Sequence, residues 1–212
     1  MTETSPIILV LPGGGYSRLA PHEGEPVAEW LRGIGWRARV VEYPVQTRHP
    51  GPLDVVRAEI AAERAAGVGI VGVLGFSAGG HLAGHAALTL AGGERPDFAV
   101  LCYPVVTMLA DTHRGSRDQL LGPRPSRRAK RATSLERLVT PDAPPMFIWT
   151  TGEDKSVAIA DHSYTLATAL ARNAVPHDFH VFERGAHGLG FAEGIPAEAW
   201  RGLAERWLEY RR

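Results

Sequence analysis

Short apolar runs alternate with amphipathic stretches along most of this chain, and no other feature of the sequence restricts its fold as strongly. Residues 7–11, 37–42, 70–75, 98–103, 146–150 and 179–182 are rich in β-branched or aromatic side chains and mostly bounded by Gly or Pro, which reads as six strands. Between them, 25–34, 53–66, 78–90, 159–173 and 196–210 carry apolar residues at helical spacing. Such alternation predicts βαβ units. The expectation is an α/β fold of three layers, with a mostly parallel sheet of about six strands and helices on both faces. With 212 residues the chain is long enough for one domain and short for two, so 1–212 is expected to form a single unit.

One segment breaks the rhythm. Between Val106 and Pro145 no strand is recognisable, and within residues 114–137 Arg114, Arg117, Arg124, Arg127, Arg128, Lys130, Arg131 and Arg137 face only Asp118 and Glu136. A stretch of that length is too long for an ordinary connection. It reads as an irregular basic insertion, 106–145, with one short helix near 126–138. Because it follows the fourth strand, it is expected at the carboxyl edge of the sheet, bordering any site there.

Whole-chain charge excludes some functions. Lys plus Arg number 23 and Asp plus Glu number 23, a balance that argues against binding to nucleic acid or to a membrane surface. The lone cysteine, Cys102, rules out a disulfide within the chain and reads as a buried strand residue. No apolar stretch approaches the roughly 18–20 residues of a membrane span, and residues 1–6 are short and polar, without the character of a secretory signal. A cytoplasmic location is the expectation.

Chemistry is carried first by Gly75-Phe76-Ser77-Ala78-Gly79, which has an apolar strand before it and a helical stretch after it. This is the G-x-S-x-G pattern in the strand–turn–helix setting it requires. Small neighbours let the strand and helix approach closely and push the hydroxyl outward, while the helix start offers free N–H groups to a developing oxyanion. A serine nucleophile needs a base, and the base needs an orienting carboxylate. Downstream, a strand runs into Thr151-Gly152-Glu153-Asp154 and the next into Arg184-Gly185-Ala186-His187-Gly188. Parallel strands end on one edge, so Ser77, Asp154 and His187 are expected to converge there. Glu153 is the competing acid, with Asp111 and Asp161 behind it. His81 and His85 have the i, i+4 spacing of metal ligands, but no third ligand stands at a telling distance, so packing or a supporting role is expected and no metal.

The third element is Leu11-Pro12-Gly13-Gly14-Gly15-Tyr16, directly after the first strand. It matches neither the phosphate-binding pattern G-x-x-x-x-G-K-[ST] nor the dinucleotide pattern, since Arg18 stands where the last glycine would be. It reads as an oxyanion loop in which Gly14 or Gly15 joins Ala78 as donor.

These blocks, together with Glu23-Gly24-Glu25-Pro26, Gly80-His81-Leu82-Ala83 and Tyr103-Pro104-Val105, make the chain resemble a compact α/β-hydrolase of the acetyl-esterase kind, akin to carbohydrate acetyl esterases and hormone-sensitive-lipase-like esterases. The resemblance covers nearly the whole chain. It implies the triad Ser77, Asp154, His187, an oxyanion hole from Ala78 with Gly14 or Gly15, and no cofactor. Two departures stand out: Pro12 replaces the histidine that begins the glycine motif in many related lipases, and the acid loop reads Glu153-Asp154-Lys155-Ser156-Val157-Ala158 rather than Asp-Asp-x-x-Val-Pro. The antiparallel edge strands and large N-terminal cap of bigger members are not expected. The resemblance implies a serine ester hydrolase acting on small-molecule, short-chain carboxylic esters, acetylated sugars among them. An arylformamidase-like amidase using the same triad and a catalytically silent binding protein are the alternatives. Tyr16, His81 and Tyr103 are expected to contact substrate, with the Tyr16 ring walling the acyl side.

Overall fold

The computed structural model describes residues 4–109 and 111–212. The polar lead-in at 1–3 and position 110 of the insertion lie outside the described residues. Six strands form one sheet: β1 (Ile7–Leu11), β2 (Arg37–Val40), β3 (Val71–Phe76), β4 (Phe98–Cys102), β5 (Met146–Thr151) and β6 (His177–Phe182). Their spatial order is β2-β1-β3-β4-β5-β6 and every pairing is parallel.

Composition decides which strands are central. Every residue of β1, β3, β4 and β5 is buried, whereas β2 and β6, with Arg37, Arg39, His177, Asp178 and His180, form the two edges. Strands covered on both faces read as continuous apolar runs, while an edge tolerates charge. The alternation of the strand then divides the core in two. Ile7, Leu9 and Leu11 pack with Val73, Leu101 and Ile148 on one face, and Ile8 and Val10 pack with Leu74, Val100 and Trp149 on the other.

The helices cover those two faces. In chain order they are α1 (Glu25–Gly33), α2 (Gly51–Ala65), α3 (Ser77–Thr89), α4 (Arg114–Leu121), α5 (Arg127–Ala132), α6 (Ser163–Arg172) and α7 (Trp200–Glu209). Leu53, Val56 and Ile60 of α2, Leu82 and Ala86 of α3, and Leu166 and Leu170 of α6 fill the first cluster. Val27 and Leu31 of α1, with Trp200, Trp207 and Leu208 of α7, fill the second. The final helical stretch begins as a 3-10 turn, Pro196–Ala199, before α7.

The insertion departs from expectation. It holds two helices, α4 and α5, and a 3-10 turn, Leu135–Arg137, instead of one helix near 126–138. The helix α4 escapes sequence reading because its Arg-rich, Gly-containing sequence lacks a clear apolar period; only Ser116 and Leu120 are buried. The chain turns from β1 toward β2 on one side and returns to β3 on the other. Crevices at such a reversal, beyond the carboxyl ends of the strands, are where open α/β sheets place their sites.

Candidate active site

Ser77 opens α3 directly after β3, with φ of +51°. A non-glycine residue in this left-handed region costs on the order of 1–2 kcal/mol and persists only where its surroundings enforce it. The enforcement is steric. A Cβ on Gly75 would stand 2.2 Å from the Gly79 carbonyl oxygen, and one on Gly79 would stand 2.1 Å from that of Leu11. The two glycines of the motif therefore let α3 pack against both β3 and the end of β1.

His187 lies in the turn after β6, its Nε2 2.7 Å from Ser77 Oγ and its Nδ1 2.6 Å from Asp154 Oδ2. The Asp154 side chain is fully buried, and its Oδ1 accepts the backbone N–H groups of Ser156 and Val157, each at 2.9 Å. Glu153 is exposed and instead accepts the Gly185 N–H at 3.0 Å, bracing the turn that carries His187. Neither Asp111 nor Asp161 has a side-chain hydrogen bond to His187. Serine, imidazole and carboxylate thus form one hydrogen-bonded line, with Asp154 the acid in reach.

Beyond β1, Gly14 and Gly15 adopt positive φ, and the Gly14 carbonyl accepts the N–H groups of Ser17 and Arg18. The N–H groups of Gly14 and Gly15 have no partner among the described residues. Ala78 belongs to the first turn of α3, where an N–H has no intrahelical acceptor. Ser77, His187, Gly14 and Gly15 line a common cavity of about 500 Å³.

One carboxylate that sequence reading left without a role holds this arrangement together. Glu23 is 2% exposed and has no Lys or Arg partner among the described residues. Its Oε2 accepts the Gly13 N–H at 2.8 Å, and its Oε1 accepts the Tyr103 hydroxyl at 2.5 Å. The Tyr103 oxygen in turn accepts the Gly190 N–H at 2.8 Å, and the tyrosine ring meets the His187 ring edge-on at 5.1 Å. A single buried acid therefore links the glycine loop to the histidine loop. In the sequence nothing separates it from Glu25, which is exposed and pairs with Arg32 at 2.5 Å.

The three expected substrate contacts are corrected by burial. Tyr16, His81 and Tyr103 are each at most 1% exposed, and none lines the cavity. Tyr16 donates its hydroxyl to His81 Nδ1 at 2.7 Å, and His81 Nε2 donates to the Thr133 carbonyl at 2.7 Å. Burial, with His85 beside it, pushes the His81 imidazole down to about 3, so it stays neutral. His85 donates to the Ala132 carbonyl at 3.1 Å. This histidine pair fastens the insertion to α3. The border of the cavity is also redrawn: His113, Gly115 and Gln119 in and before α4 line it, and the basic residues of α5 do not.

A family model of the alpha/beta hydrolase fold matches residues 18–191. The chain belongs to that family. Among its relatives, endo-1,4-beta-xylanase B of Butyrivibrio fibrisolvens is 36% identical across 92% of this chain and 34% of its own length. The acetylxylan esterase of Xylanibacter ruminicola is 29% identical across 87% of this chain and 41% of its own. The chain thus spans well under half of these two relatives. Among solved structures, an acetyl ester-xyloside bifunctional hydrolase from Caldicellulosiruptor lactoaceticus superposes with a TM-score of 0.92 at 37% identity, covering 99% of this chain and 84% of that one.

Proposed function

We propose that this protein is a serine carboxylic-ester hydrolase that removes short acyl groups, acetyl above all, from polyhydroxylated alcohols such as sugars. The observation that carries the reading is the unbroken line from Ser77 Oγ to His187 at 2.7 Å and from His187 to Asp154 at 2.6 Å. Ser77 attacks the ester carbonyl while His187 Nε2 takes its proton; Asp154 holds the imidazole with Nδ1 protonated and stabilises the imidazolium. The oxyanion is received by the N–H of Ala78 together with that of Gly14 or Gly15. The imidazolium returns the proton to the leaving alcohol, and water activated by the same ring then releases the acid from the acyl-serine.

Substrate class draws support from two sides. The relatives named above include an acetylxylan esterase and an acetyl ester-xyloside hydrolase, which favours an ester over an aryl formamide. The cavity is walled by glycines and by Ser17, Arg18, His22, His113, Gln119 and Ser156, with no large apolar side chain among the described residues to receive a fatty chain. No helix among the described residues is long and apolar enough to cross a membrane. A cytoplasmic location belongs to the same reading, with which the lone cysteine, Cys102, a buried free thiol, is compatible. The test is a panel of acetylated xylosides, octanoyl esters and aryl formamides, run beside labelling with a fluorophosphonate probe. Labelling lost in Ser77→Ala and highest kcat/KM on acetyl esters are expected. Labelling that survives Ser77→Ala, or preference for the octanoyl ester or the formamide, would overturn the reading.

A further inference from the structure

The residue that begins the insertion's first helix also stands in the wall of the cavity. His113 is the N-cap of α4: its Nδ1 accepts the Ser116 N–H at 3.2 Å and lies 2.8 Å from Ser116 Oγ. A ring nitrogen that accepts from a backbone N–H carries no proton itself, so in the neutral ring the hydrogen sits on Nε2. Partial burial and the nearby His187 ring both lower the affinity of His113 for a second proton. The capping bond therefore fixes one tautomer.

That leaves a donor with nothing among the described residues to receive it. Nε2 has no hydrogen-bond partner among the described residues and is not one of the sealed, unpartnered polar atoms. His113 shares the cavity lining with Ser77, His187 and Gln119, and its Cε1 comes within 3.9 Å of where a Gly15 side chain would begin. The cavity, about 500 Å³, is far larger than an acetyl group needs, so most of it serves the alcohol half of the ester.

We infer that His113 is a binding residue for that alcohol half, its Nε2–H donating a hydrogen bond to a hydroxyl or ring oxygen of a polyhydroxylated alcohol. The inference rests on the esterase reading and deepens it. It also gives the insertion a purpose: α4 carries a preset donor to the site, and the cap that starts the helix sets the donor's protonation.

His113→Asn separates the two roles. Asparagine is among the strongest N-cap residues and keeps an acceptor for the Ser116 N–H, but it lacks the far-side donor. The probes are an acetylated methyl xyloside and phenyl acetate, whose alcohol half has no hydroxyl beyond the ester oxygen. For His113→Asn the expected result is a KM for the xyloside raised about fivefold to tenfold, the loss of one net hydrogen bond, with kcat little changed. Phenyl acetate kinetics should stay within about twofold, because no partner for the donor is lost. His113→Ala should match His113→Asn on the xyloside while melting at a lower temperature, since it also removes the cap. Equal loss on both substrates, or no loss on either, overturns the inference while leaving the esterase reading in place. A wild-type enzyme that cleaves phenyl acetate but not the xyloside overturns it too. Cleavage of neither by the wild type removes the esterase reading along with it.

Discussion

The elbow at residues 75–80 and the insertion at 106–145 both flank α3, yet the chain specifies them by opposite means. At the elbow every constraint is local and steric: the Gly75 and Gly79 sites are closed to a Cβ by carbonyl oxygens about 2 Å away, and Ser77 is held at positive φ between them. The insertion has apolar anchors in Val106, Met108, Leu120 and Leu135, and its backbone is held besides by polar groups distant in sequence. His162 Nδ1 accepts the Val106 N–H at 2.9 Å and Ser134 Oγ accepts the Met108 N–H at 2.8 Å, while His81 and His85 donate to the Thr133 and Ala132 carbonyls. Repulsion between neighbouring atoms admits one conformation and writes itself as a short motif. A segment held by contacts distant in sequence writes no such short motif.

The sharpest way to break this contrast is to remove chemistry from the elbow. Ser77→Ala and His187→Ala should each lower kcat by about 10⁴ to 10⁶, and the double variant should lose scarcely more, because the groups act as a unit. Melting temperatures should barely move. Asp154→Asn is expected to cost about 10⁴ and Glu153→Gln little, since only the former touches His187. A mild Asp154→Asn beside a severe Glu153→Gln would transfer the role of acid.

The next effect tests the link between the glycine loop and the histidine loop. Two donors, the Gly13 N–H and the Tyr103 hydroxyl, converge on the two oxygens of Glu23. An amide must turn its NH₂ toward one of them. Glu23→Gln is therefore expected to lower kcat about 100-fold, the scale of a small misplacement of catalytic groups, with KM much less affected. Unchanged kcat would show that the two loops hold their places without it.

These expectations show what the sequence made legible. Strand and helix positions in the core follow from periodicity because burial repeats with it, and the Ser, Asp and His blocks follow from topology because parallel strands end on one edge. Glu23 and His113 were illegible as site residues for a physical reason: Glu23 acts through contacts with Gly13 and Tyr103 that only folding makes, and His113, whose hydrogen bonds to Ser116 are local, reaches the cavity only when the insertion packs beside the glycine loop. Tyr16 and Tyr103 misled for the converse reason, since lying next to a motif in sequence does not turn a side chain toward the cavity.

Gly79→Ala should sharpen the steric half of the comparison. A methyl group there meets the Leu11 and Pro12 carbonyls at 2.1 and 2.4 Å, contacts that only a shift of α3 against β1 can relieve. Overpacking of this kind costs about 1–3 kcal/mol, read as a lower urea midpoint with unchanged slope. A stability equal to wild type would mean the elbow is softer than its contacts suggest.

The polar half is tested by pH. Burial pushes His81 down to about 3 and His85 and His162 down to about 4. Unfolded histidine titrates near 6.5, so between there and about 4 the unfolded chain binds protons that the folded chain refuses. Stability should thus be full above about pH 7 and fall as pH drops through this window, by at most about 1.4 kcal/mol per pH unit for each site. Urea melts at pH 7.5, 6 and 5 would show it, and hydrogen exchange should place the earliest loss of protection in 106–145. Constant stability across that range would mean the insertion is not held by neutral histidines.

The smallest effect is expected at α5, where Arg127, Arg128, Lys130 and Arg131 concentrate positive charge. Placement after β4 suggested that the insertion borders the site, but the helix that reaches the cavity is α4, not α5. The end of α5 is fastened to His81 and His85, one and two turns along α3 from Ser77, which at 1.5 Å per residue is about 6 and 12 Å along the helix axis. Three of the four side chains are exposed, and at 0.15 M salt charges in water are screened over about 8 Å. Replacing all four with Ala should therefore leave kcat/KM for neutral and anionic acetyl esters within about twofold of wild type at that ionic strength. A selective, salt-dependent loss on the anionic ester would show that steering from α5 does reach the cavity, and would make the insertion electrostatic as well as positional in its effect on the site.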